Sequence, residues 1–303
     1  MSFTAAIVTS CTQRKSGDVH VDIGQLPDVG GLKSLAKAWR RLVAAAPTAG
    51  TAATLYQGRS IADTATVATL LSTRWYVVSA GLGLVPQDQP VPAYECTVAA
   101  GSKLNDQLGR LGATVTDWWA ALTDAHPHPL SQLIEQGPTL LALPSSYLRM
   151  VSGDLLRVTA CQARGLRIFT STAGAAVVPV HLLHCVMPYD DRLESVPGHA
   201  GTKADFAQRA LRHFVEKLEA ADMPLDEARV KVASALSGKP WPSRSAGVRM
   251  SDEQIKQTLR AQWSVHDGRS TRLLRYLRDE AGISCEQKRF SRIWQSLAAE
   301  LQA

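Results

Sequence analysis

The sequence predicts an α/β fold: a mostly parallel central sheet flanked by helices, followed by a small C-terminal helical domain. Three observations predict it. Short apolar runs of strand length alternate with helix-periodic segments over residues 5–220, the pattern of repeated strand–helix units. Polar loops follow three of the apolar runs. A Gly/Pro/Ser-rich stretch then separates this body from a basic tail.

Ala5-Ala6-Ile7-Val8 is the first predicted strand, running into the polar loop Thr9-Ser10-Cys11-Thr12-Gln13-Arg14-Lys15. Leu35, Ala38, Trp39 and Leu42 recur at helical spacing within a helix over 32–46. Residues 61–71 read as another helix, and 75–79 as a buried strand ending in Gly81-Leu82-Gly83-Leu84. A long helix over 103–122 follows, then a Pro/His-rich break and a helix near 130–135. The strand over 139–143 enters the turn Pro144-Ser145-Ser146-Tyr147. Beyond it, 148–164 reads as helix, 167–170 as a short strand, 177–186 as a strand or buried helix, and 202–220 as an amphipathic helix. In open sheets of this kind ligands bind outside the carboxyl ends of the strands. The loops at 9–18, 79–97 and 143–147 are therefore expected on one sheet edge.

The domain boundaries follow from composition: a body over 1–236, a linker over 237–247 and a basic helical unit over 248–303. Ser251 is placed to open a helix, 269–281 forms a second, Gly282 stops it, and Ser284 caps a third over 285–302. The net charge of +6 favours an anionic partner. From Arg244 onward nine Arg and two Lys face three Asp and four Glu, so most of that charge lies in the tail. Neither a basic segment leading into a long apolar run at the start nor a run of membrane-spanning length is seen, which predicts no membrane association. Cys11, Cys96, Cys161, Cys185 and Cys285 are odd in number, scattered and without a C-x-x-C pair. Reduced thiols in the cytoplasm are the expectation, with neither metal nor organic cofactor.

Each candidate site residue has a structural alternative. Ser10 and Cys11, with Lys15 close behind, could hold a phosphate, or form an ordinary turn; Cys11 is either a thiolate nucleophile or a buried inert thiol. In the second loop Ser79, Gly81 and Gly83 turn the backbone and three prolines stiffen the chain beyond them, as suits a preorganised pocket. Asp88 is that loop's first carboxylate and is assigned to position water or stabilise a positively charged sugar; Tyr94 is assigned to stack on an extruded base. A helix cap at Asp88 and a packing Tyr94 are the alternatives. Ser145 and Ser146 either cap a helix or contact a phosphate. Arg269, Arg272, Arg275 and Arg278, then Lys288, Arg289 and Arg292, form a basic stripe suited to the phosphates of duplex DNA, or a solvated face.

The combination Ser10-Cys11-x-x-x-Lys15, Leu55-Tyr56-x-Gly58-Arg59, Trp75-Tyr-Val-Val-Ser79-Ala-Gly81-Leu-Gly83-Leu-Val-Pro-x-Asp88 and Tyr94-x-x-Thr97 resembles a family of bacterial domains distantly similar to the uracil-DNA-glycosylase superfamily. The accessory domain of archaeal tRNA-guanine transglycosylases is likewise similar. The resemblance covers roughly 5–97 and 269–294. It implies a uracil-DNA-glycosylase-like body and a DNA N-glycosylase that flips out and excises a modified base, such as a modified cytosine of phage DNA, leaving an abasic site. Tyr56 would join Tyr94 in sandwiching the base, Lys15 and Arg59 would hold phosphates or a bulky base substituent, and Lys15 as a Schiff base would add strand cleavage. The Gly-Gln-Asp-Pro-Tyr and His-Pro-Ser motifs of uracil glycosylases do not occur, which argues against plain uracil. An RNA or tRNA base-modifying role and a non-catalytic nucleotide-binding module are the alternatives.

Overall fold

Five strands form the central sheet of the computed structural model, which describes residues 6–27, 30–99, 101–242 and 248–302. They are β1 (Ala6–Ser10), β2 (Trp75–Ser79), β3 (Gly83–Pro86), β4 (Thr139–Ala142) and β5 (Leu166–Phe169). Their order is β3-β2-β1-β4-β5; β1 runs parallel to both β2 and β4, β4 is parallel to β5, and β3 is antiparallel to β2. Ile7 stands between Trp75 and Leu140 in register, and Thr9 between Val77 and Ala142. Ile7, Val8, Val77, Val78, Leu140, Leu141 and Ile168 are fully buried, as a parallel sheet covered on both faces requires.

From β1 the chain crosses to β2 on one side, then returns past β1 to place β4 on the other. That reversal makes the carboxyl ends of β1 and β4 the switch point of the sheet, where connecting loops part and leave a crevice. Helix α1 (Leu32–Ala45) buries Leu35, Ala36 and Trp39. Helix α2 (Arg59–Leu70) packs on β1 and β2. The stretch predicted as one long helix is two, α3 (Lys103–Arg110) and α4 (Val115–Leu122). Gly112 at φ +61° breaks it, and Thr114 with Asp117 caps the second half. The predicted helix over 148–164 is likewise three short ones, α5 (Ser145–Met150) and turns at Ser152–Leu155 and Ala160–Ala163. Residues 180–185, read from the sequence as part of a strand or buried helix, form a 3₁₀ helix. Helix α6 (Phe206–Arg212) widens into a π-turn at His213–Lys217 and packs on α2, β4 and β5. A further helix, Leu225–Leu236, carries no strong apolar stripe and is not legible from periodicity.

The described chain divides into two compact units, 1–241 and 242–303. Of the predicted linker, 243–247 lie outside the described residues, as does Ala5 of the first predicted strand. The smaller unit packs α7 (Asp252–Ala261), α8 (Ser270–Arg275, extended by a π-turn to Glu280) and α9 (Gln287–Gln302) around Ile255, Leu259, Leu273, Leu277, Phe290, Ile293 and Leu297. Ser251 opens α7 in a capping box with Gln254, and Gly282 turns the chain at φ +62°. Ser284 pairs with Arg249 in a short parallel bridge, so α9 begins at Gln287 and not beside that serine.

Gln208 of α6 ties the switch point together. Its buried amide donates to Thr9 Oγ1 and to the Ala142 carbonyl, both at 3.0 Å, joining α6 to β1 and β4. Gln208→Ala removes both donors and leaves two buried acceptors unpaired. We expect a loss of about 1–3 kcal/mol in urea unfolding; a change below about 0.5 kcal/mol would show that this tie carries no stability.

Candidate functional site

A cleft of about 500 Å³ opens where β1 and β4 part. Ser10, Cys11, Thr12 and Gln13 leave β1 along one wall, and Pro144, Ser146 and Tyr147 leave β4 along another. Arg59 and Ser60 contribute the start of α2, and Thr97 and Ala99 the end of the second predicted loop. The remaining wall is a strap running into α6 that presents Thr202, Ala204 and Asp205. The size suits a small-molecule or nucleotide-sized group.

Two arginines fix the strap. Arg209 is fully buried; its Nε donates to Asp205 Oδ1 at 2.8 Å, and its Nη groups donate to Glu194 Oε1 at 2.8 Å, to the Thr202 carbonyl at 2.7 Å and to the His199 carbonyl. Arg59 donates to the carbonyls of Gly198, at 2.8 Å, and Ala200. Asp205 Oδ1 also accepts the Thr202 N–H at 2.9 Å. Its Oδ2 has no protein hydrogen bond among the described residues, which leaves one carboxylate oxygen for a ligand or water. Beneath the strap His199 meets His213 edge-on at 5.1 Å, and His213 Nδ1 lies 2.9 Å from the Tyr189 hydroxyl.

The floor is hydroxyl-rich. Cys11 Sγ lies 3.0 Å from the Tyr147 hydroxyl, bridging the loops after β1 and β4. Gly58, at φ +115°, holds a backbone conformation that other residues rarely adopt and gives α2 no side-chain cap. The first bond of α2 runs from Ala62 N–H to the Gly58 carbonyl, so the N–H groups of Arg59, Ser60 and Ile61 begin the helix unpaired.

Of the residues singled out in the sequence, Ser10, Cys11, Arg59, Thr97 and Ser146 meet in this cleft. Asp88 does not. Because β3 runs antiparallel to β2, the chain after Pro86 returns to the amino end of the sheet, where Asp88 pairs with Arg74 at 2.5 Å in solvent. The Gly81–Gly83 segment is thus a hairpin turn rather than a ligand loop: Gly83 takes φ +80°, and Ser79 Oγ accepts from the Gly81 and Leu82 N–H groups. A Cβ on Gly81 would stand 2.6 Å from the Tyr94 ring, so that glycine serves packing. Tyr94 and Tyr56 are core residues, 0% and 1% exposed, with hydroxyls 2.7 Å apart; Tyr94 is also 2.5 Å from Ser79 Oγ. Burial pushes both phenols well above the usual tyrosine range. Neither ring is free to stack on a base. Lys15 sits with its ammonium 4.7 Å over the Tyr94 ring, outside the cleft wall. Ser145 is the first residue of α5 and does not line the cleft. Arg59 reaches the cleft, but its guanidinium is committed to the strap.

In the smaller unit the basic stripe is partly neutralised from within. Arg272 pairs with Asp267 at 2.7 Å, Arg289 with Asp252 at 2.6 Å, and Arg292 approaches Asp252 at 3.7 Å. Arg278 donates to the Cys285 carbonyl. Arg269, Arg275 and Lys288 are exposed and have no ion-pair partner among the described residues.

Sequence reasoning misses Ser60, Thr202 and Asp205. The one available signal is the Asp205/Arg209 spacing of four on a helix start. Among the described residues no group of three His, Cys, Asp or Glu is placed to hold a metal ion, and no helix is long and apolar enough to cross a membrane. Comparison with protein-family models, curated proteins and solved structures gives no match.

Burial lowers the pKa of His199 in the strap and of His213 beneath it, His213 to about 4, with the neighbouring His199 adding to the effect. A histidine whose folded pKa is depressed stabilises the fold fully above the unfolded value near 6.5, and that contribution is lost as pH falls toward 4. The thermal midpoint should therefore be flat from neutrality to about pH 6.5 and fall between there and pH 4. His213→Gln should make the fall shallower; parallel profiles for the two proteins would refute the assignment.

Proposed function

We propose that the cleft receives a nucleotide drawn out of a nucleic-acid strand and that the protein hydrolyses its N-glycosidic bond, acting as a DNA glycosylase on a modified base. The observation that carries this reading is a single carboxylate, Asp205, fixed among hydroxyl donors at the switch point of a parallel sheet. Extrusion of the base is needed because the bond is inaccessible inside the stack. As the C1′–N bond breaks, its electron pair leaves with the base and positive charge develops on the sugar. The free oxygen of Asp205 balances that charge and takes a proton from the attacking water as its hydroxyl bonds to C1′. That proton then passes through solvent to the departing base, giving an abasic sugar, the free base and the carboxylate again.

Asp205 takes the role first assigned to Asp88. Arg209 and the Thr202 N–H hold its other oxygen, so the carboxylate is oriented before substrate arrives. Thr97, Ser146 and Thr202 line the space in which the base edge would be read. The smaller unit adds sequence-independent grip through Arg269, Arg275 and Lys288, which have no ion-pair partner among the described residues.

Two measurements test this. Base release from duplex DNA carrying modified cytosines, followed as abasic-site formation, should fall at least about 100-fold in Asp205→Asn. That change also takes a counter-charge from buried Arg209, so the thermal midpoint should drop, and the assay is run below it with the fold checked by circular dichroism. Release undiminished in that variant would remove Asp205 from the chemistry, and activity confined to tRNA would replace DNA as the substrate. Replacing Arg269, Arg275 and Lys288 together by Gln should reduce the slope of log affinity against log salt by about 2.7 on duplex DNA. An unchanged slope would mean that these side chains do not meet phosphates.

A further inference from the structure

Two serines in the cleft are built unlike ordinary surface hydroxyls. Ser10 and Ser60 are 5% and 9% exposed, both line the cleft, and neither hydroxyl has a hydrogen-bond partner among the described residues. Each side chain is nine-tenths buried with its oxygen left open to the cleft, so a ligand or water that enters there completes it. Ser60 is also the second residue of α2, a twelve-residue helix whose first N–H groups start unpaired behind an uncapped Gly58. Two independent features thus point into one place: free hydroxyls from β1 and α2, and the positive end of a helix.

The surrounding charge narrows the ligand. Arg59 is committed to the strap carbonyls and lies 3.4 Å from Asp63, which also pairs with Arg212 at 2.9 Å. Arg212 and Lys217 in turn hold Glu216, and Arg209 holds Asp205 and Glu194, so four cations face four carboxylates. The seat therefore offers N–H dipoles and hydroxyls, with its full charges already balanced. That matches a group rich in acceptor oxygens that carries one negative charge. A second charge would be buried without a counterion.

We propose that the start of α2, with the hydroxyls of Ser10 and Ser60, seats a phosphodiester of the nucleic-acid strand beside the nucleotide in the cleft, in preference to a phosphomonoester. This rests on the reading that the cleft takes a nucleotide, but it concerns binding rather than bond cleavage. The strand, not a free nucleotide, is then the ligand that the site is shaped to hold.

The test uses the full chain and single-stranded oligonucleotides with one tetrahydrofuran abasic analogue, titrated by fluorescence anisotropy. Replacing the diester next to the analogue by a neutral methylphosphonate should weaken binding roughly tenfold. Ser60→Ala and Ser10→Ala should each weaken binding of the diester oligonucleotide about 3- to 10-fold and leave that of the methylphosphonate unchanged. An oligonucleotide ending in a 5′-phosphomonoester at the same position should bind no tighter than one ending in hydroxyl. Equal losses for diester and methylphosphonate, no loss in either serine variant, or a clear gain from the monoester would each overturn the proposal. Base release without this phosphate dependence would leave the glycosylase reading standing and remove the seat. Serine-dependent diester binding without base release would do the reverse.

Discussion

A guanidinium taken out of water must find acceptors for its N–H groups, and Arg209 finds them in the strap that forms one wall of the cleft. Its side chain has no exposed surface, and it donates to two carboxylates and two carbonyls. Removing any of these acceptors would leave a buried charge short of partners, which costs far more than a surface ion pair returns. The strap between Glu194 and Asp205 has little regular structure of its own, yet this demand gives it one conformation. Gly201 completes the fit, since a Cβ there would stand 2.5 Å from Arg209 Nε. The position of Asp205, and with it the shape of the cleft, follows from the pairing requirement of one residue.

The sheet supplies the other half of the geometry. Chain reversal between β1 and β4 brings residues far apart in sequence to one edge, and Gln208 and the Cys11–Tyr147 contact hold that edge closed beneath the cleft. The apolar sheet interior and the hydroxyl-rich cleft above it are consequences of the same strands: the interior is apolar because both faces are covered, and the polar residues at and beyond the carboxyl ends line the cleft. Burial penalises charge, and for that reason His199 and His213 are held toward their neutral forms.

Legibility in the sequence divides along a physical line. The strands at 6–10, 75–79 and 139–142 are legible because short, continuous apolar runs between polar loops fit little besides a sheet buried on both faces. The loops after β1 and β4 share a sheet edge, and the second loop rejoins it only at Thr97. The second loop misleads because Gly81-Leu82-Gly83 looks alike whether it approaches a ligand or turns a hairpin. Strand β3, only four residues long and containing Pro86, gives no alternation by which to tell them apart. That single ambiguity carries Asp88 to the wrong end of the sheet and turns the core residue Tyr94 into a supposed base stacker; Tyr56 is added to it by the resemblance alone. The strap is invisible because side-chain bonds to backbone carbonyls, not periodicity, define it. Ser60 lies one residue ahead of the helix predicted over 61–71, in the first turn that the observed helix adds at its start behind the uncapped Gly58.

Strand β3 also has a bearing on how molecules of this protein behave at high concentration. It forms one margin of the sheet, and such margins invite further strands from neighbouring chains. This one is short, and Pro86, opposite Tyr76, has no N–H to offer. The helix Pro129–Glu135 packs beside it. A second copy approaching here would find few groups with which to extend the ladder, so the hairpin that disguises itself as a ligand loop also guards the fold against edge-to-edge aggregation.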